Sequence, residues 1–172
     1  MKRVQIIGAG AVGLLVASFL AELKWDVHLV CRRQQQVNLL NNCLKRENAS
    51  GNFTEVNVKA STTIYNDTDL TIVAVKSGQL QELIHKLPKQ IPTIFLQNGL
   101  AHYEEALRLP QQHIAFGSAQ FGAQRENDYT VVHRGVGVLK VAVARGDVEK
   151  FSSVEKLQSE LLPIQCEVDA EK

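Results

Sequence analysis

Val4-Gln5-Ile6-Ile7-Gly8-Ala9-Gly10-Ala11-Val12-Gly13 opens the chain as a short apolar strand that runs into glycines. The spacing is G-x-G-x-x-G, between a strand and a helix. Each glycine has its own task. Gly8 permits the tight turn out of the strand, Gly10 lacks the Cβ that would hold a pyrophosphate away, and Gly13 lets helix and strand pack closely. The helix start adds unpaired N–H groups and a partial positive charge for the phosphates. Gly8, Ala9, Gly10, Ala11, Val12 and Gly13 are therefore the expected pyrophosphate cradle.

The next strand decides which dinucleotide. After a helix over residues 11–23 and the turn Lys24-Trp25-Asp26 comes Val27-His28-Leu29-Val30-Cys31, followed by Arg32-Arg33. A site for NAD or FAD usually carries Asp or Glu at this strand end, where it binds the ribose hydroxyls. Arginine there suits a 2′-phosphate, which it can grip bidentately while stacking on adenine. Arg32 thus points to NADP(H); the alternative is a pair of arginines on a solvated helix start. A secretory leader is a competing reading of the first residues, since Met1-Lys2-Arg3 precedes a largely apolar run. The phosphate-loop spacing, the lack of a clear cleavage site and the run's continuation into a second strand argue against it. Ser18 also interrupts a run too short for a confident membrane span. The expectation is a soluble, cytoplasmic protein.

Composition fits one domain. The chain has 172 residues, 45% of them hydrophobic, and a formal charge of +1, which gives no electrostatic reason to expect nucleic acid or an anionic membrane as partner. Cys31, Cys43 and Cys166 form neither C-x-x-C nor a metal spacing, so no metal site is expected. None of the five histidines has a partner at metal or triad spacing; all read as structural. Asp67 and Asp69 read as solvated turn residues at the edge away from the ligand crevice.

The rest alternates strands and helices. A helix is expected over residues 34–42, strands over 43–47 and 54–58 around a turn-rich Asn48-Ala49-Ser50-Gly51-Asn52, and a strand at Leu70–Val75. That strand is a continuous apolar run, as in a central parallel strand covered on both faces. A helix over 78–87, a strand over 93–96 and a helix over 101–107 follow. Strands are then expected over 114–121, 129–133 and 136–143, and a helix capped by Asp147 reaching Leu162. This βαβ winding predicts a Rossmann-type α/β fold: a doubly wound, mainly parallel sheet with helices on both faces. In such sheets ligands bind outside the carboxyl ends of the strands. Lys76, after the 70–75 strand, suits ribose, phosphate or an anionic substrate; the alternative is an exposed lysine. Asn98, in Gln97-Asn98-Gly99, suits nicotinamide ribose or a substrate oxygen, or simply a turn.

Taken with Gly117-Ser118-Ala119-Gln120-Phe121-Gly122-Ala123, the glycine loop, Arg32, Asp69–Ser77 and Gln97-Asn98-Gly99-Leu100 resemble the ketopantoate reductase family (2-dehydropantoate 2-reductase). The resemblance spans essentially the whole chain. It implies NADPH-dependent reduction of the 2-keto acid ketopantoate to pantoate, on the route to pantothenate and coenzyme A. It implies that Arg32 holds the 2′-phosphate, that Lys76 and Asn98 line the cofactor and substrate crevice, and that backbone near Gly122 approaches the nicotinamide. The family often has His-Ala where this chain has Phe121-Gly122. Family members also carry a second, helical domain that supplies the catalytic lysine. The expectation is that residues 1–168 form the cofactor domain, that 169–172 begin a linker, that the catalytic residues lie outside this chain, and that any homodimer needs the second domain. The competing reading is a stand-alone NADP(H)-binding or sensing module.

Overall fold

A computed structural model describes residues 2–96, 107–151 and 164–170. Nine strands pair in the order β4-β3-β9-β8-β7-β6-β1-β2-β5, with β10 on β9. They are β1 (Arg3–Ile7), β2 (Asp26–Val30), β3 (Leu44–Glu47), β4 (Phe53–Val56), β5 (Lys59–Ser61), β6 (Leu70–Val73), β7 (Thr93–Leu96), β8 (Ile114–Asn127), β9 (Thr130–Arg145) and β10 (Ile164–Ala170). The helices are α1 (Ala11–Glu22), α2 (Gln34–Leu40) and α3 (Ser77–Leu83). Among the described residues, β3–β4 and β8–β9 pair antiparallel and the other pairings are parallel. The expected mainly parallel, doubly wound architecture is present.

Strand alternation explains how the sheet is covered twice. Val4, Ile6, Val27, Leu29, Leu70, Ile72, Ile94 and Leu96 face Leu14, Leu15 and Phe19 of α1 and Val37 and Leu40 of α2. Ile7, Val30, Val73 and Phe95 face the other way, onto Leu80 of α3 and Ile84 and Leu87 just after it. Both faces need apolar residues, so these strands read as near-continuous hydrophobic runs. The chain leaves β1 for β2 on one side and later returns to β6 on the other, so the winding reverses at β1 and opens a crevice at the strand ends.

Several boundaries depart from the sequence reading. β5 is a three-residue strand beside β2 that is too short to show a pattern. The two strands expected over 129–133 and 136–143 are one, β9, and β8 runs on to Asn127. Register shifts at Gln120/Gly122 and Arg125/Asn127 let this long ribbon twist while staying paired. It packs over α1, which also touches β1, β2, β3 and β4. α3 ends at Leu83 and tightens into a 3-10 turn at Ile84–Lys86. Asp147 begins a 3-10 turn, Val148–Phe151, whose Lys150 N–H donates to the Asp147 carbonyl. The helix expected over 101–107 lies outside the described residues except for Leu107, and so does the part past Phe151 of the helix expected from its Asp147 cap to Leu162. β10 was not expected, and it runs through Ala170, past the boundary placed at 168. Among the described residues, no helix is long and apolar enough to cross a membrane.

Polar side chains lock the layers. Arg46 on β3, 3% exposed, donates to Ser18 Oγ (3.2 Å), Glu22 Oε1 (2.5 Å) and Asn48 Oδ1 (2.7 Å), and its guanidinium lies 3.9 Å from the Phe19 ring centre. Every face of this buried cation is thus engaged, as burial demands. His133 also meets the Phe19 ring edge-on, at 5.5 Å between ring centres. At the opposite end of the sheet from the crevice, Arg3 gathers Asp26, Asp67 and, through its backbone N–H, Asp69. The two loop aspartates therefore anchor a turn to β1 rather than merely facing water.

Helix α1 ends in a Schellman arrangement: Trp25 N–H donates to Leu20 O at 3.1 Å and Lys24 N–H to Ala21 O at 3.0 Å. Lys24 occupies the left-handed position at φ 69°, which usually takes glycine. Lys24→Gly is expected to raise unfolding free energy by about 1 kcal/mol, because a Cβ is strained there, as read from urea denaturation. Burial, with the nearby Arg46 charge, lowers the His133 pKa against a smaller opposing backbone hydrogen bond at Gly135. A histidine kept neutral by the fold contributes stability that is complete above about pH 6.5 and is lost as pH falls through its lowered folded value. The urea midpoint should drop between pH 7 and pH 5, and His133→Gln should flatten that slope.

Candidate functional site

The carboxyl ends of β1, β2 and β6 open into a cleft of about 990 Å³, lined by the glycine turn, Arg32 and Arg33, the 62–66 loop, and Ala74 to Lys86. Gly8 leaves β1 at φ +112°, and its N–H donates to Val30 O at 3.0 Å. A Cβ there would sit 2.5 Å from the Ala74 carbonyl oxygen, so both backbone angle and space demand glycine. A Cβ on Gly13 would lie 1.9 Å from Gly8 O, so α1 touches the β1 turn backbone to backbone. Gly10 differs: a Cβ there would meet no atom within 4 Å, because the residue faces the cleft. It is also the N-cap of α1, with no side-chain cap and no acidic residue in the first turn. The first-turn N–H groups point at the space that Gly10 leaves open. An open, uncapped helix start of this kind can hold an anionic group.

Arg32, at the end of β2, is exposed on the cleft wall, and none of its hydrogen bonds or ion pairs is found among the described residues. Arg33 is instead committed: its Nη2 lies 2.5 Å from Asp128 Oδ1 at the tip of the β8–β9 hairpin. That contact holds the Asp128 carboxyl below the usual carboxylate range. Arg125 Nη1 reaches the same oxygen at 3.1 Å. Cys31 also lines the cleft, but burial pushes its thiol up to about 11, which keeps it protonated and non-nucleophilic at neutral pH. The cleft wall carries Arg32, Arg33, Lys76, Lys86 and Arg125 against Glu82, so it favours an anion.

Two glutamines that sequence reading passed over hold this wall. Gln5, fully buried, donates to Tyr65 O (2.8 Å) and Thr71 Oγ1 (3.0 Å) and accepts from Tyr65 N (2.9 Å), pinning the 62–66 loop to the sheet. Its signal is a polar residue inside an apolar strand. Gln36 on α2 donates from Nε2 to Ala9 O and to Asp128 O, each at 3.0 Å, and so ties the glycine turn to the hairpin tip. In the run Gln34-Gln35-Gln36 nothing singles it out.

The remaining candidates are placed unevenly. Lys76 caps the N-terminus of α3, exposed and on the cleft. Asn98 lies outside the described residues. Gly122 is not among the residues lining the cleft; it sits in β8 opposite Gly135, where a Cβ would come 2.9 Å from Arg134 Cβ. Val12 and Gly13 stand behind the turn, not on the cleft surface. Among the described residues no three His, Cys, Asp or Glu side chains are grouped to hold a metal.

Residues 4–146 match the family model for ketopantoate reductase PanE/ApbA. A 2-dehydropantoate 2-reductase of Listeria monocytogenes is 34% identical over 86% of this chain and 52% of its own length. That of Bacillus subtilis is 37% identical over 80% of the chain and 47% of its own length. The chain thus spans about half the length of the curated relatives it matches. The crystal structure of a probable 2-dehydropantoate 2-reductase from Bacillus subtilis superposes with a TM-score of 0.88 at 28% identity, over 98% of this chain and 58% of that one.

Replacing Gln36 with Leu is expected to cost about 1–3 kcal/mol of unfolding free energy, since two carbonyls lose their partner in a half-buried setting. Urea denaturation monitored by Trp25 fluorescence checks it.

Proposed function

The chain belongs to the ketopantoate reductase family, and from that premise we propose that its cleft binds NADPH for the reduction of ketopantoate to pantoate. The observation that carries the cofactor part is the pairing of a side-chain-free, uncapped helix start at Gly10 with an arginine where a ribose-binding carboxylate would stand. The pyrophosphate takes the first-turn N–H groups of α1, and Arg32 grips the 2′-phosphate. Gly8 and Gly13 fix the turn, while Gln36 holds it from outside. Lys76 stands at the start of α3, on the same cleft, where its ammonium draws the carboxylate of a 2-keto acid or the cofactor's own phosphates. Asn98, which follows β7 in the sequence and lies outside the described residues, is the candidate amide for a ribose or substrate oxygen.

NADPH, when bound, supplies the hydride. Reduction of a ketone also needs a proton for the developing alkoxide and a wall that excludes water. Among the described residues lining the cleft we assign no such proton donor: the Cys31 thiol is buried, and Lys76 is exposed to solvent. Binding without turnover is therefore the expected behaviour of these 172 residues.

Fluorescence titration should give tighter binding of NADPH than of NADH. Arg32→Asp should weaken NADPH by about 1–3 kcal/mol, the worth of a charged hydrogen bond, and leave NADH little changed. Equal affinities for the two cofactors would sink the reading. Rapid ketopantoate-dependent NADPH oxidation by the chain alone would show that the proton donor lies within it.

A further inference from the structure

The hairpin tip at Asn127–Thr130 comes from the far end of the sequence yet meets the cleft beside the glycine turn. It is firmly seated there. Gln36 Nε2 donates to Asp128 O at 3.0 Å, Lys45 N–H to Tyr129 O at 2.9 Å, and Tyr129 N–H to Asn127 Oδ1 at 3.0 Å. Arg125, one bulge before the tip, lines the same cleft as Arg32. Such irregularities re-aim side chains at ligand sites. Arg125 and Arg33 both converge on Asp128 Oδ1, at 3.1 and 2.5 Å. A guanidinium has five donors in a planar fork. Each of these gives Asp128 one, so the carboxylate orients both forks without exhausting them.

From this arrangement we propose that Arg125 is a second specificity-determining residue for the 2′-phosphate, held in position by Asp128. The proposal rests on the NADPH reading above. Among Arg32, Arg33, Arg125 and Asp128, three guanidiniums against one carboxylate leave two net positive charges, with Lys76, Lys86 and Glu82 elsewhere on the cleft. A phosphate monoester carries about 1.5–2 negative charges, whereas the 2′-hydroxyl of NADH carries none. The match discriminates between the cofactors by charge, and two positioned forks discriminate by geometry as well. A purely structural role, the tethering of the hairpin to the start of α2, would treat the two cofactors alike. The two roles are therefore separable.

The test is titration of the chain with NADPH, NADH and 2′-AMP, for the unsubstituted protein, Arg125→Gln and Arg125→Lys. Arg125→Gln is expected to weaken NADPH and 2′-AMP about tenfold, as for loss of one charged hydrogen bond, with NADH unchanged. Arg125→Lys, which keeps the charge and loses the fork, should fall between. Unchanged NADPH affinity in Arg125→Gln would overturn the proposal, as would parallel losses for NADPH and NADH in both variants. Failure of the underlying reading looks different: the unsubstituted chain would itself bind NADPH and NADH equally and ignore 2′-AMP.

Discussion

The contact between Gly13 and the Gly8 carbonyl is the constraint from which the cleft follows. With a Cβ position only 1.9 Å from that oxygen, α1 cannot approach β1 this closely through any other residue. The approach aims the helix start at the strand end instead of past it. The same closeness presses Gly8 against Ala74, so the ends of β1 and β6 meet at one point. The crevice is then simply what remains between β2, the glycine turn and the start of α3. Charge is added to a geometry already fixed by two missing side chains.

Much of this was legible because the determinants are local. The glycine spacing, the apolar runs of β1, β6 and β7, and Arg32 after β2 are each read within a few residues, and strands buried on both faces leave an unmistakable pattern. What escaped was non-local or very short. β5 is three residues long, and β10 pairs with a strand more than 20 residues earlier, so neither leaves a periodic trace. Arg134-Gly135 read as a break between two strands, yet pairing with β8 carries β9 straight through. Gln5 and Gln36 become meaningful only through partners 60 or more residues away, Tyr65 for Gln5 and Asp128 for Gln36. No window along the chain contains both members of those pairs.

The polar groups fall into two sets with different tasks. Arg46, Ser18 and Glu22 are consumed in holding β3 to α1. Their hydrogen bonds offset the burial of a cation and leave nothing over for a ligand. Around the cleft the accounting is open: among the described residues Arg32 has no hydrogen-bond or ion-pair partner, and Arg33 and Arg125 share one carboxylate. Saturated networks build the scaffold, and unsaturated ones are the mark of a binding wall.

The walls of the cleft are drawn from the glycine turn near residue 10, the loop near 64, α3 and Arg125. No partly formed chain can present all of them, since the last arrives only when the β8–β9 ribbon has closed over α1. A ligand of the cleft therefore recognises the folded state alone, and its occupancy raises the melting temperature in proportion to the logarithm of its concentration over its dissociation constant. The concentration of such a ligand thus becomes a direct term in the stability of the folded chain.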